Sequence, residues 1–134
     1  MKEIPRENLI IRESFKLPFS GSEIWGEELD GLNVHKDIVI DKFLKDMETI
    51  KRPSSPGLIA IHLKDTLVDE TIVKVIVTEL SKAKQAVHKV IFVGLSNASK
   101  KLMEDMLKKE KVSFAYSFNS NYEKAKEWLV HRRS

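Results

Sequence analysis

The sequence predicts an α/β domain, a single mixed and mainly parallel sheet with helices against it. Three short apolar runs of strand length, 57–63, 88–95 and 112–116, recur along the second half of the chain. Amphipathic segments with apolar residues at helical spacing separate them. Strands that alternate with helices pair in parallel through right-handed crossovers, which places the helices against the sheet. The third observation is size: 134 residues, 42% of them apolar, are enough for one core and one domain.

Residues 1–36 form the least regular segment. Two short β-like runs, 9–12 and 14–17, stop at Pro18 and predict an edge hairpin or bent strand, antiparallel at one edge of the sheet. Residues 20–36, SGSEIWGEELDGLNVHK, contain three glycines without a sustained period and read as a loop. Within it Trp25 either folds back to plug the sheet edge or stands exposed as an aromatic anchor, and the acidic residues around it suit an interface that governs assembly or partner choice. The core proper, 37–134, opens with a helix in which Ile38, Val39, Phe43, Leu44, Met47 and Ile50 form the apolar stripe and Asp37 is the expected N-cap. KRPSSPG closes it as a loop.

GLIAIHL, 57–63, is nearly all apolar, as a strand covered on both faces must be. Residues 69–86 follow as a helix whose β-branched residues are poor helix formers, so burial has to override propensity there. The strand 88–95 leads to a helix at 97–109 with Leu102, Met103, Met106 and Leu107 expected inward. A strand at 112–116 and a helix at 120–130 close the order, with Trp128 packing beside Ala125 and Leu129.

Composition narrows the function classes. Cysteine is absent, which removes disulfides, thiol catalysis and thiolate zinc sites together and fits a reducing compartment. No run of eighteen apolar residues and no signal-peptide pattern occurs, so cytoplasm is the expected location and no integral membrane segment is expected. The net charge of +3 is spread along the chain. Its densest runs, 108–111 and 131–133, read as a solvated helix face and a terminal tail, not as a nucleic-acid platform.

Candidate sites lie where parallel strands end and helices begin. The 64–71 turn carries Asp65, Asp69 and Glu70, acidic groups capable of general acid–base work or of cation binding, yet Asp69 and Glu70 at a helix start also do ordinary capping. GLSNASKK at the next turn places Ser96 or Asn97 as a cap and lacks both phosphate-loop spacings. His35, His62, His88 and His131 stand in four separate segments, so no metal site and no cofactor are expected. His62, in an apolar strand, is expected to be partly covered with a backbone partner. No serine sits on a nucleophile elbow, so no catalytic residue is assigned.

From Asp37 to Leu129 the order of elements and several strings resemble the STAS domain and its SpoIIAA-like relatives, the family of anti-anti-sigma factors. The strings are GLIAIHL, DETIVKVIVTEL, VIFVGLSNASKKLMEDM and FAYSFNSNYEKAKEWL. Where that family carries Asp-Ser-Ser-Gly, this chain has Asp69-Glu70-Thr71-Ile72. The resemblance implies a bacterial, regulatory, non-enzymatic domain that binds a protein partner such as a kinase-like anti-sigma factor, with Thr71 at the place of the phosphorylated hydroxyl. Asp65, Asp69, Glu70, Thr71, Lys74 and Trp25 are then the expected partner-binding residues, and a homodimer stays open. The alternative is a small-molecule or lipid-binding domain, with an undisclosed enzymatic role left open, using a pocket at Phe19, Trp25, Ser96 and Asn97.

Overall fold

In the computed structural model, which describes residues 1–131, five strands form one sheet in the order β1-β2-β3-β4-β5. They are β1 (Phe15–Phe19), β2 (Ser22–Glu28), β3 (Leu58–His62), β4 (Lys89–Val93) and β5 (Ala115–Asn119). Four helices accompany them: α1 (Lys36–Ile50), α2 (Glu70–Lys82), α3 (Asn97–Lys109) and α4 (Tyr122–Val130). β1 is antiparallel to β2, and every other pair is parallel. The mixed, mainly parallel α/β expectation is met, with the antiparallel strand at one edge.

Alternation along the strands divides the core in two. Trp25, Ile59, Ile61, Val90 and Phe92 face α1, α2 and α3 in the larger cluster. Ile24, Ala60, Ile91 and Val93 face α4, with Ala125 and Leu129, in the smaller one. α1, α2 and α3, each in a crossover between neighbouring parallel strands, pack on the same face, as crossovers of one hand require. Only the final helix remains for the other.

The largest correction concerns residues 20–36. Ser22–Glu28 is not loop but β2, an interior strand between β1 and β3, and Trp25 on it is 6% exposed. The exposed-anchor reading of Trp25 is therefore replaced by packing in the main core, where the indole lies in the same cluster as Val39 and Phe43 of α1. The β-like run 9–12 is likewise not a strand, and the second run begins one residue later, at Phe15. Ser20 and Gly21 join β1 to β2 with φ of 48° and 80°. Both lie in the left-handed region that a two-residue hairpin turn needs to match the strand twist. Pro18 pairs with Glu23, one step from the bonded Phe19 and Ser22 pair, so its missing N–H belongs to the open edge and blunts it.

Other corrections are smaller. α1 starts beyond His35, whose side chain makes no capping bond, while Asp37 sits in the first turn and takes a bidentate pair of bonds from Arg6 at 2.9 and 2.8 Å. β5 is Ala115–Asn119, not 112–116, because Lys111 turns at φ 49° and the connection extends through Phe114. Leu102 is 38% exposed, whereas Met103 and Leu107 are buried as expected. Trp128 packs against the smaller cluster, as its spacing predicts. Arg132 and Arg133 of the basic tail lie outside the described residues.

Candidate functional site

The β3–α2 connection has a specific shape because two hydroxyls hold it. Thr66, buried, accepts from the Leu32 N–H at 3.1 Å and donates to the Leu29 carbonyl at 2.6 Å. Ser99 of α3 donates to the Val68 carbonyl at 2.7 Å. Buried Asn33 adds a third tie: its N–H bonds the Asp65 carbonyl, its carbonyl accepts from Leu67 N–H, and its side chain bonds Ile4 N–H and the Lys2 carbonyl. Between these anchors Asp65 turns at φ 58°, and Leu67 is left 51% exposed. Leu67 is thus a half-exposed apolar side chain on a turn held at three points.

The predicted residues of this turn divide by role. Asp69 is the N-cap of α2, accepting from Ile72 N–H at 3.0 Å, and it is paired with Lys36. Partial burial works to raise its carboxyl, but the bonds from Lys36 and from Ile72 outweigh that and hold it below the ordinary carboxylate range. Its work is structural. Asp65, Glu70, Thr71 and Lys74 are exposed, and none of their charged groups is ion-paired among the described residues. Beside them a shallow groove of about 230 Å³ between α2 and α3 is lined by Glu70, Val73, Leu102 and Met106 among others.

The four residues expected of a ligand pocket do not come together. Phe19 packs on the α4 face and Trp25 on the opposite face. Ser96 is occupied as the N-cap of α3, accepting from Ser99 N–H at 3.2 Å. Asn97 lines a separate cavity of about 350 Å³ with Lys100, Phe118 and Ser120. Gly94 at that cavity is required by packing, since a Cβ there would stand 2.8 Å from that of Lys64 and its φ is +88°.

Sequence reasoning missed the polar networks of β2. Glu27 and Glu28 are consecutive, so they point to opposite faces, and both are buried or nearly so. On the α1 face Trp25 Nε1 donates to Glu27 Oε1 at 2.9 Å. Burial, then hydrogen bonding and repulsion from Asp46, raise the Glu27 carboxyl to about 9, so it is neutral at pH 7. Glu27 Oε2 finds no ordinary donor, which fits a proton there that bonds Asp46. Ser14 donates to Asp46 Oδ2 at 2.8 Å, and Lys42 Nζ donates to both Asp46 Oδ2 and Ser14 Oγ at 2.8 Å. The Glu28 N–H donates to the same Ser14 oxygen at 2.9 Å. Ser14 thus uses its one donor and both lone pairs and is no free nucleophile. Over this network, between residues 11–14 and α1, lies a cavity of about 530 Å³, with Trp25, Ile38, Lys42 and Asp46 in its wall.

On the α4 face Glu28 lies beside Asp30, His62 and Tyr122. Burial, then repulsion and hydrogen bonding from Asp30, raise Glu28 to about 7. His62 Nε2 is 3.9 Å from Glu28 Oε1 but has no hydrogen-bond partner, contrary to the expected backbone bond, and burial lowers its basicity. The two are accordingly not an ion pair at neutral pH, and the imidazole packs edge-on to Tyr122 at 4.3 Å. Burial and the nearby Glu28 raise the Tyr122 phenol. Among the described residues no cluster of three His, Asp or Glu has a metal-binding arrangement.

No described helix is long and apolar enough to cross a membrane. Compared with known protein families, curated proteins and solved structures, the chain matches none.

Proposed function

We propose that this chain is a regulatory protein-interaction domain of the STAS or SpoIIAA-like kind, a bacterial cytoplasmic one, that docks a partner through the 64–71 turn. The observation that carries the reading is Leu67, half-exposed on a turn fixed by Thr66, Asn33 and Ser99. An apolar anchor with charged groups around it is the anatomy of a small interface, with Asp65, Glu70, Thr71 and Lys74 as rim. The strand order supports the reading too: neighbours follow in sequence, so the sheet has no switch point where a ligand crevice would open. The partner is a protein with an apolar pocket bordered by basic side chains that meet Asp65 and Glu70. Thr71, exposed in the first turn of α2, is where phosphorylation would add about −1.5 to −2 charges, whose bulk and desolvation cost would weaken a partner docked on the neutral hydroxyl and the backbone beside it.

Co-purification from the native cell with Leu67→Asp, Glu70→Lys and Thr71→Glu variants tests this. All three leave the fold intact, the first two lose the partner, and Thr71→Glu weakens it. Retention of the same partner by Leu67→Asp and Glu70→Lys would rule the surface out.

A second reading rests on the 530 Å³ cavity beside Trp25, whose size suits a small molecule. It differs in place from the expected pocket, since Phe19, Ser96 and Asn97 do not line it.

A further inference from the structure

The segment from Leu9 to Ser14 crosses the lip of that cavity as a bridge between two anchors. One is the short 3-10 turn at Arg6–Asn8, tied to α1 by the Arg6–Asp37 pair, and the other is the start of β1. Its apolar side chains hold it only at its start, where Leu9 is partly buried: Ile10 is 77% and Ile11 55% exposed. Polar contacts do, and they converge on Ser14, which reaches Asp46, Lys42 and the Glu28 N–H. Arg12 adds a loose contact to Asp30 at 3.7 Å. A segment with little buried apolar area and a few polar ties belongs to the part of a fold that opens locally.

We propose that residues 9–14 are a proton-latched strap over the Trp25 cavity, closed while the Glu27 carboxyl, joined to Ser14 through Asp46, is neutral and released when it ionises. The reason is linkage. With the strap closed, the fully buried Glu27 carboxyl has no access to water, and Asp46 already carries the negative charge of the network, so a second carboxylate has no place. With the strap open, water solvates an ionised Glu27 and Lys42 is free to turn to it. Whatever opens the strap therefore favours loss of the proton, and loss of the proton opens the strap by the same amount. The charged groups that face Glu27 are Asp46 and Lys42, both of α1. Its register partner on β3 is Ile61, and β1 and the strap bring Ser14. Around the cavity mouth stand Arg12 and Glu13 of the strap and Asp41 and Lys45 of α1. The Glu28 group on the other face works differently: its ionisation strengthens the pull on Arg12, so it does not release the strap.

Acrylamide quenching of Trp25 reads the strap directly, in a Trp128→Phe background so that one indole reports. Between pH 6 and pH 10 the quenching constant should rise several-fold with a midpoint near the Glu27 value of about 9 while far-UV circular dichroism stays constant. Glu27→Gln keeps both bonds of the neutral carboxyl and should remain quenched weakly throughout. Ser14→Ala removes the latch and should be strongly quenched already at pH 7. A flat wild-type profile, a rise that survives in Glu27→Gln, or a rise that coincides with loss of circular dichroism would each overturn the proposal. A Ser14→Ala variant as protected as the wild type would do so as well.

Discussion

Glu27 shows how one residue can set the pH dependence of the whole chain. A carboxyl that titrates at 4.5 when unfolded and at about 9 when folded contributes stability that is complete below pH 4.5 and is lost as pH rises through 9. Glu28 adds the same sign over a narrower window, 4.5 to about 7. Asp46 and Asp69, held below their ordinary range, act in the opposite sense and only under acid conditions. Wild-type stability should therefore fall from pH 5 to pH 9, with a limiting slope of roughly 1.4 kcal/mol per pH unit for each such group. Glu27→Gln supplies an amide oxygen for Trp25 Nε1 and an NH₂ for Asp46, so nothing is left unpaired. It should flatten the slope and be the more stable protein at pH 8. Urea midpoints at four pH values check this, and equal slopes in the two proteins would show that Glu27 is not the titrating group.

At the scale of elements, the 64–71 turn owes its shape to side chains outside it, which gives a way to separate presentation from contact. Thr66→Val keeps volume but strips the Leu29 carbonyl and Leu32 N–H of their partners at a buried position. Each group left unsatisfied costs about 1 to 3 kcal/mol. The variant should lose roughly that amount of stability once or twice over and should raise amide exchange at Leu67. It should also weaken partner capture, although Thr66 is only 7% exposed and cannot itself touch a partner. Exchange and capture measured on the same sample decide it: normal capture with a loosened turn would mean that rigidity is irrelevant to docking.

For the molecule as a whole, the sequence was legible where burial followed a simple period and illegible where polar residues were buried. α2, α3 and β3 lie within a few residues of expectation because Ile72, Val73, Ile76, Val77 and Leu80, or Ile59 and Ile61, follow their periods without interruption. β2 could not be read. Gly26, Glu27 and Glu28 are poor strand residues, and only pairing on both edges, with partners for both carboxyls, makes a strand of them. The same reason hid the Glu27 network, whose members Ser14, Trp25, Glu27, Lys42 and Asp46 span 33 positions and have no common motif. β5 was displaced because apolar residues alternate from Val112 to Phe118, longer than the strand itself.

The sheet is also covered unequally, and its stability should be unequal in consequence. Three helices share one continuous cluster on the first face, while the second face depends on the nine residues of α4. That helix is too short to persist by itself. It buries Ala125 and Leu129, and its last carbonyls are held from the sheet by Lys89, whose Nζ bonds Trp128 O at 3.0 Å and His131 O at 2.9 Å. The same ammonium lies 4.9 Å from the Trp128 ring centre, a cation–π contact. α4 should therefore open in a partial step below the global unfolding free energy. In native-state hydrogen exchange its amides should exchange before those of α2, β3 and β4. Lys89→Met should accelerate exchange in α4 by roughly tenfold, as loss of about 1 to 1.5 kcal/mol of capping would, and leave α2 unchanged. Exchange of α4 in step with β3 and β4, in the wild type and in Lys89→Met alike, would mean that the thin face and the thick face unfold as one unit.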